Sequence, residues 1–368
     1  MNLSALNLMN CFTSVSICGL LSLSLSTCRS HLPPPPTPVN RLPPTLVQYT
    51  KENSGLPSNA VSRVVIDRQG IVWAGTYRGH IASDSSRGLA RFDGTNWQVF
   101  DTQNSPLPGN GILDLALAPD DALWVATDKG LARFDGKNWR VFTKANAPFP
   151  SDFIVAVDVV SDGRVWAATG ATARGQKILF LFDGTRWQEQ NAPEAPTAYE
   201  VSDLLVDRNQ TLFSTRGRGL LRRTAQQWTV FRKDTLGMPL TKVGRLHEDG
   251  TGGIWMTPYN GLIESSGERT GAIVRFDGRR FEAILFPADE QNAKLDYFPF
   301  YPLSITTDVL GRPWVGEIAG LYRYDGNWHL TIPRDAKGID FPFYDLTFQA
   351  QKRLWVATNR GLLQFMPE

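Results

Sequence analysis

Side chains that commonly perform acid–base or metal chemistry are few in this chain, and their spacing matches no catalytic motif. The 368 residues include four histidines, His31, His80, His247 and His329, none of them in an HExxH pair. GxSxG, Walker and dinucleotide fingerprints are also missing from the sequence. Only His80 falls in a long inserted segment. We therefore predict no cofactor, no metal site and no catalytic residue, although a metal-dependent lyase or hydrolase remains an alternative.

The three cysteines lie in one segment at the beginning of the sequence. Cys11, Cys18 and Cys28 fall within residues 1–28, which contain no Lys, Arg, Asp or Glu. The apolar run 11–27 is short for a membrane span but suits the core of a signal peptide. Leu25-Ser26-Thr27-Cys28 resembles the lipobox of bacterial lipoproteins, which implies a lipid on Cys28. Removal of the signal without lipidation, or its retention as an anchor, stays open.

Residues 29–45 are rich in proline and predict an extended tether that cannot form a core. The remaining residues, 46–368, have the composition of a globular domain. The chain carries 38 Lys and Arg against 36 Asp and Glu, and this balance argues against nucleic-acid binding. We expect an exported protein that lies in the periplasm or at the cell surface and touches the membrane only through its N-terminal anchor.

One pattern recurs seven times in residues 46–368. An aromatic residue closes a short β-rich run in each unit, and the spacing between these aromatics is 41 to 59 residues. The positions are Trp73, Trp124, Trp166, Phe213, Trp255, Trp314 and Trp355. A second aromatic follows an Asp-Gly turn in most units, as Trp97 does in the first. This period is typical of four-stranded propeller blades.

The two ends of the sequence complement each other. The last unit stops after the segment 361–365, which is its third strand, while residues 46–57 match the register of 97–108, where a fourth strand begins. We therefore predict an all-β fold: a seven-bladed β-propeller of four-stranded blades, closed by the N-terminal strand completing the last blade. Such closure pairs an edge strand that would otherwise be exposed.

The segments 56–59, 67–76 and 88–94 resemble the two-component regulator propeller repeat. This resemblance implies a β-propeller that often forms the extracytoplasmic sensor of hybrid regulators and is associated with saccharide recognition. Neither a kinase segment nor a membrane helix follows the propeller in this sequence, so signalling would require a separate kinase as partner.

The long connections are predicted on one face of the propeller. The connections between the second and third strands carry nine basic against five acidic residues, and aromatics crowd the entries to the first strands. We predict a site for an oligosaccharide or an envelope protein there. Its residues are Tyr77, His80, Arg174, Arg216, Arg218, Tyr259, Phe298 and Phe343. Alternatively, the aromatics fill gaps between blades and the arginines are merely solvated.

Ten residues before the strand aromatics, charged residues recur near the expected central channel. They are Arg63, Asp114, Asp203, Arg245 and Asp345. Opposite charges in neighbouring blades predict a ring of ion pairs, with Arg63 bridging Asp114 and Asp345. A metal or ligand site formed by the three Asp residues is the alternative. We thus predict a binding or sensor module, with a protein-interaction scaffold of the envelope as the second interpretation.

Overall fold

The computed structural model describes residues 46–77, 87–170, 178–190, 201–207, 210–215, 219–224, 227–232, 242–258, 263–265, 268–286, 302–317, 320–333, 342–350 and 352–367. For 210–215, 263–265 and 268–270 it describes the backbone alone. The predicted signal peptide, Cys28 and the tether lie outside these residues. All regular structure in the described part of the chain is β-strand.

Six four-stranded antiparallel sheets are each formed by one continuous segment. Blade one contains β2 (Val61–Ile66), β3 (Val72–Thr76), β4 (Leu89–Phe92) and β5 (Trp97–Phe100). Blade two contains β6 (Ile112–Leu117), β7 (Leu123–Thr127), β8 (Gly130–Phe134) and β9 (Trp139–Phe142). Blade three contains β10 (Ile154–Val159), β11 (Val165–Thr169), β12 (Leu179–Phe182) and β13 (Trp187–Glu189).

Blade four contains β14 (Val201–Val206), β15 (Gln210–Thr215), β16 (Gly219–Thr224) and β17 (Gln227–Phe231). Blade five contains β18 (Val243–Glu248), β19 (Ile254–Pro258), β22 (Ala272–Phe276) and β23 (Phe281–Leu285). Blade six contains β24 (Ser304–Thr307), β25 (Pro313–Glu317), β26 (Gly320–Tyr324) and β27 (Trp328–Pro333).

A seventh four-stranded sheet joins the two ends of the propeller. It contains β28 (Phe343–Gln349), β29 (Arg353–Thr358), β30 (Gly361–Phe365) and, as its outer strand, β1 (Val47–Tyr49). The first strands of consecutive blades contact each other, and β28 contacts β2, so the inner strands close a ring. The predicted all-β propeller class is confirmed.

Each blade sheet has four strands, as predicted, and blade five carries regular structure in one connection as well. Blade five has an additional two-stranded sheet, β20 (Ile263–Ser265) with β21 (Glu268–Thr270), between β19 and β22. A hairpin of this length has no core of its own, so the apolar periodicity of the blades could not reveal it.

Aromatic residues hold neighbouring blades together. Trp73 of blade one stacks on Phe100 at 6.0 Å between ring centroids and meets the edge of Phe134 of blade two at 5.9 Å. At the closure, Tyr49 of β1 stacks on Trp355 at 5.6 Å, and its hydroxyl donates to Gln364 Oε1 at 3.0 Å. Large rings therefore fill the wedge between sheets that diverge from the channel.

The strand bounds define two faces of the propeller. We call the face with the connections between second and third strands, and between fourth and next first strands, the loop face. The opposite side, the short-turn face, has tight connections such as 67–71 and 93–96 in blade one. On the loop face of the same blade, β3 and β4 are separated by 77–88. Loops that are longer on one face of a rigid scaffold are where binding residues usually lie.

Candidate functional site

Tyr77 lies on the described part of the loop face. This residue follows β3, and its backbone N–H donates to Ala60 O at 3.0 Å, which fixes its position at the rim. Its ring lies so close to Gly111 that a Cβ on that glycine would be 2.9 Å from Tyr77 Cδ2. Burial, together with the nearby Asp128 carboxylate, raises the pKa of Tyr77. Tyr77 therefore remains a phenol that can donate a hydrogen bond.

Phe343 has a different environment from the one predicted for a ligand-binding residue. It is fully buried at the start of β28 and belongs to the hydrophobic cluster that contains Trp314 and Leu354. Its carbonyl oxygen accepts the Ser304 hydroxyl at 2.8 Å. Phe343 thus fills the gap between blades six and seven, the alternative that the sequence left open. The other predicted contacts, His80, Arg174, Arg216, Arg218, Tyr259 and Phe298, lie outside the described residues.

The rim between blades one and two has a fixed shape because side-chain amides hold its backbone. Asn104 Oδ1 accepts Asp101 N–H at 3.0 Å, and Asn110 Oδ1 accepts Thr102 N–H at 2.9 Å. Equivalent bonds hold the connection before blade one, where Asn53 and Asn59 accept backbone N–H groups. The register match of 46–57 with 97–108 was the sequence signal for this arrangement. These connections form a rigid platform beside the longer insertions.

The central channel is lined by side chains from the inner strands of the described blades and encloses about 280 Å³. Arg63 Nε lies 3.0 Å from Asp114 Oδ1, and both side chains are about nine-tenths buried, at 11% and 10% exposure. Arg245 Nη1 lies 3.5 Å from Asp203 Oδ1. The structure thus brings four of the five predicted ring residues into two ion pairs that cross from one blade to another.

The channel carboxylates also bond to the backbone of the following blade. Asp114 Oδ2 accepts Val157 N–H at 2.9 Å, and Asp203 Oδ2 accepts Leu246 N–H at 2.8 Å. Asp345 Oδ2 accepts Val64 N–H at 2.9 Å across the closure. Of the two predicted contacts of Arg63, the structure shows the ion pair with Asp114. Asp345 interacts with Arg63 only over a longer distance, through the attraction between their charges, which raises the pKa of Arg63. Each of these carboxylates thus connects its own blade to the following one, and Asp114 also contacts the preceding blade.

Sequence reasoning missed two channel residues, Asp158 and His247. Both lie two positions after the predicted ring, where a strand directs the side chain to the same face. Asp158 Oδ2 accepts Val206 N–H at 2.6 Å, and His247 Nε2 accepts Thr307 N–H at 3.0 Å. In blades three and five the ring position is occupied by Ala156 and Arg245, whose side chains cannot accept a hydrogen bond. Asp158 and His247 accept the backbone N–H of the next blade instead. A search at intervals of two residues along the strands could have found them.

Burial dominates the electrostatics of the channel. It raises the pKa of Asp158 to about 7 and that of Asp203 to about 6, although hydrogen bonds to Asp158 and the Arg245 charge beside Asp203 oppose the shift. Burial also raises the pKa of Asp345 and lowers that of His247 to about 4. For Arg63, burial is outweighed by Asp114, Asp345 and Asp203, and its pKa rises. The channel thus contains four carboxyl groups but only two guanidinium groups. These are Asp114, Asp158, Asp203 and Asp345, and Arg63 and Arg245.

The described residues include no group of three His, Cys, Asp or Glu side chains with the geometry to hold a metal ion. The channel carboxylates are used by backbone N–H groups and arginines instead. His329, at the outer strand β27, bonds through Nε2 to Asp325 Oδ1 at 2.8 Å. A search of the described residues for helices capable of crossing a membrane finds none.

Comparison with solved structures places this architecture among known propellers. The extracellular domain of a hybrid two-component system from B. thetaiotaomicron has 16% identity and a TM-score of 0.64 over 88% of this chain and 42% of that chain. Virginiamycin B lyase from Staphylococcus aureus, solved with quinupristin, has 14% identity and a TM-score of 0.66 over 88% and 99% of the two chains. At sequence identities this low, the structural similarity establishes a shared fold only.

A third structure is PorZ, a surface component of the type-IX secretion system of Porphyromonas gingivalis, with 16% identity and a TM-score of 0.64. The similarity covers 87% of this chain and 48% of the PorZ chain. The present chain therefore spans less than half the length of PorZ and of the extracellular domain described above. No curated protein sequence matches the chain significantly. Residues 55–78 match the profile of the two component regulator propeller. The predicted resemblance is therefore confirmed: residues 55–78 carry a two-component regulator propeller repeat, and the chain shares its fold with the extracellular domain of a hybrid two-component system.

Proposed function

We propose that the chain is an exported binding or sensor module that recognises a saccharide or another envelope ligand on its loop face. The observation that carries this proposal is the asymmetry of the connections between the assigned strands: all of them are tight on the short-turn face, and every long one lies on the loop face. Short connections also occur on the loop face, where two residues each join β7 to β8, β25 to β26 and β29 to β30. Backbone-bonded rims such as 101–110 add a rigid support beside these insertions. A rigid scaffold with variable loops on one side is a common design for recognition.

The side chains in the long connections fit a sugar with acidic groups. Aromatic faces complement sugar rings, and paired N–H groups of arginine complement carboxylate or sulfate. Tyr77 supplies a phenol at the described rim, since burial raises its pKa. The remaining contacts of the proposal are His80, Arg174, Arg216, Arg218, Tyr259 and Phe298, whereas Phe343 is excluded by its burial.

The structural relatives support location outside the cytoplasm. The compared proteins include an extracellular domain and a bacterial surface component. The uncharged apolar segment 11–27 is consistent with export. In this proposal the propeller is periplasmic or displayed at the cell surface, and Cys28 is the candidate point of lipid attachment. A separate signalling kinase is the partner named in this proposal.

The test compares two arginine pairs on opposite faces. Neutral and acidic oligosaccharides are titrated calorimetrically into the parent protein, Arg216→Ala/Arg218→Ala and Arg279→Ala/Arg280→Ala. The second pair lies at the exposed turn between β22 and β23 on the short-turn face, which makes it the matched control. We expect saccharide affinity to fall at least about tenfold in the first variant, as loss of charged hydrogen bonds predicts, and to stay unchanged in the second.

Two results would overturn saccharide recognition on this face. One is equal weakening by both arginine pairs, because that would indicate a nonspecific charge effect. The other is the failure of every saccharide to bind while an envelope protein binds the parent and not Arg216→Ala/Arg218→Ala. That second result would establish the alternative function, a protein-interaction scaffold.

A further inference from the structure

The indole N–H of the strand tryptophan has an internal acceptor in four blades. The acceptor stands six residues before the tryptophan, at the turn on the short-turn face. Asp67, Asp249 and Asp308 accept the indole N–H of Trp73, Trp255 and Trp314 at 3.1 Å, and Gln349 accepts that of Trp355 at 3.0 Å. A buried indole N–H usually has such a partner.

The aspartate at this position occupies a site that is built for a carboxylate. Asp67 Oδ1 accepts the backbone N–H groups of Gln69 and Ile71 at 3.1 and 2.9 Å, while Oδ2 accepts the indole. In blade five, Arg275 Nε also donates to Asp249 Oδ2 at 2.9 Å. The site therefore combines turn N–H groups, an indole N–H and, in that blade, a guanidinium group.

Blade two has the same turn, but Ala118 stands at the acceptor position, and Asp120 Oδ1 accepts the turn N–H of Ala122 at 3.2 Å in place of the missing side chain. The turn has the same backbone bonds: Ala118 N–H donates to Ala122 O at 2.8 Å, and Asp121 N–H donates to Ala118 O at 2.9 Å. The corresponding bonds of blade one, at Asp67 and Gly70, are 3.0 and 2.9 Å. Trp124 is 2% exposed, and its indole N–H has no acceptor in the described part of the chain but is accessible to solvent. The donor remains, and the internal acceptor is gone.

A cavity of about 440 Å³ opens at this position, between blades two and three. Ala118 and Trp124 form one wall and Phe182 of blade three another. Arg140 also lines the cavity, with its guanidinium carbon 4.7 Å from the ring centroid of Phe142 and 5.2 Å from that of Phe182. Among the described residues, no carboxylate lies within ion-pair distance of Arg140.

The two acidic residues at the cavity have their own cations. Asp120 pairs with Arg133, and Asp162 Oδ2 lies 2.8 Å from Arg164 Nη2. Among the described residues that line the cavity, the groups without an acceptor are thus the guanidinium of Arg140, which is exposed to solvent, and the Trp124 indole N–H, and both are donors. A small anionic group, rather than a cation, complements this combination.

We propose that the cavity between blades two and three binds a carboxylate group supplied by a ligand, which takes the position that aspartate occupies in blades one, five and six. Its oxygens would accept the Trp124 indole N–H and pair with Arg140, and Phe182 would cover the carbon skeleton beside the carboxylate. The carboxylate can belong to a peptide C-terminus or to a uronic acid. Because the cavity lies on the short-turn face, this site is independent of the loop-face proposal.

The test follows the Trp124 indole N–H resonance in ¹⁵N-labelled protein, assigned with Trp124→Phe. Acetate is the minimal probe, with sodium chloride at equal ionic strength as control. We expect a saturable downfield shift of this resonance with acetate and none with chloride. Arg140→Gln should weaken acetate binding about tenfold, the effect of losing one charged hydrogen bond. A tripeptide against its C-terminal amide, and galacturonate against galactose, then distinguish the two sources of the carboxylate.

Ala118→Asp is the decisive variant because it restores the internal carboxylate. We expect its Trp124 resonance to lie at the shifted position without any ligand and to be insensitive to acetate. The proposal is overturned if no carboxylate shifts the parent resonance, if chloride shifts it equally, or if a folded Ala118→Asp protein binds acetate as the parent does. Should Ala118→Asp fail to fold, an unchanged acetate affinity in Arg140→Gln would overturn it.

Discussion

Replacing Arg63 by alanine tests whether the channel charges hold the blades together. The substitution removes the 3.0 Å contact to Asp114 and the charge that favours ionised Asp345 and Asp203. Removal of one partner from a buried pair costs about 3–5 kcal/mol, because the remaining charge stays desolvated. The channel space of about 280 Å³ can admit water to the freed carboxylates, so we expect about 3 kcal/mol, the lower end of that range.

The assay is urea unfolding of the parent and Arg63→Ala, followed by tryptophan fluorescence at pH 8 and pH 5. The loss should be larger at pH 8, since Asp203, whose pKa burial raises to about 6, is largely protonated at pH 5 and then carries no charge that needs a partner. Arg68→Ala is the matched control in the same blade. Arg68 pairs with Asp121 at 3.5 Å but is 67% exposed, so its loss should change the free energy of unfolding by at most about 1 kcal/mol.

Equal urea midpoints for Arg63→Ala and the parent at pH 8 would refute the reasoning. The same holds if Arg68→Ala is destabilised as much as Arg63→Ala, because burial would then have no influence on the value of an ion pair. A loss that is independent of pH would show that the freed carboxylates do not carry the penalty.

Two further predictions concern the closure and the channel. Removing residues 29–50 should lower the melting temperature sharply, because it deletes β1 and the stack of Tyr49 on Trp355, whereas removing 29–44 should not; equal melting temperatures would contradict the closure. Asp158 has a pKa of about 7 in the folded protein and about 3.9 when unfolded, so its contribution to stability falls as pH rises from about 4 to about 7. Asp158→Asn should therefore gain stability relative to the parent between pH 5 and pH 8 in urea unfolding, and a constant difference between the two proteins would disprove this.

Features that depend on short segments were accessible from the sequence. The recurrence of the strand tryptophans and the Asp-Gly turns revealed the blades, and the register of 46–57 revealed the outer strand that pairs Val47 with Gln364. These features can be predicted from the sequence because the alternation along a strand and the residue preferences of a tight turn involve residues within a few positions of each other. The charged ring could be read in the same way, since it follows one fixed register.

The tertiary structure decided the features that arise where two blades meet. Phe343 is an aromatic residue of a type that binding sites often contain, but the neighbouring blade buries it completely. Asp158 and His247 accept the backbone N–H of the next blade, and the residues at the ring position of their own blades have no acceptor atom in the side chain. Nothing in the sequence distinguishes Ala118 from other small residues, and only the fold shows that it lines a cavity together with Trp124 of its own blade and Phe182 of blade three. The physical reason is common to all of them: the partner lies one blade away in sequence, so only packing determines whether a group is covered, bonded or left open.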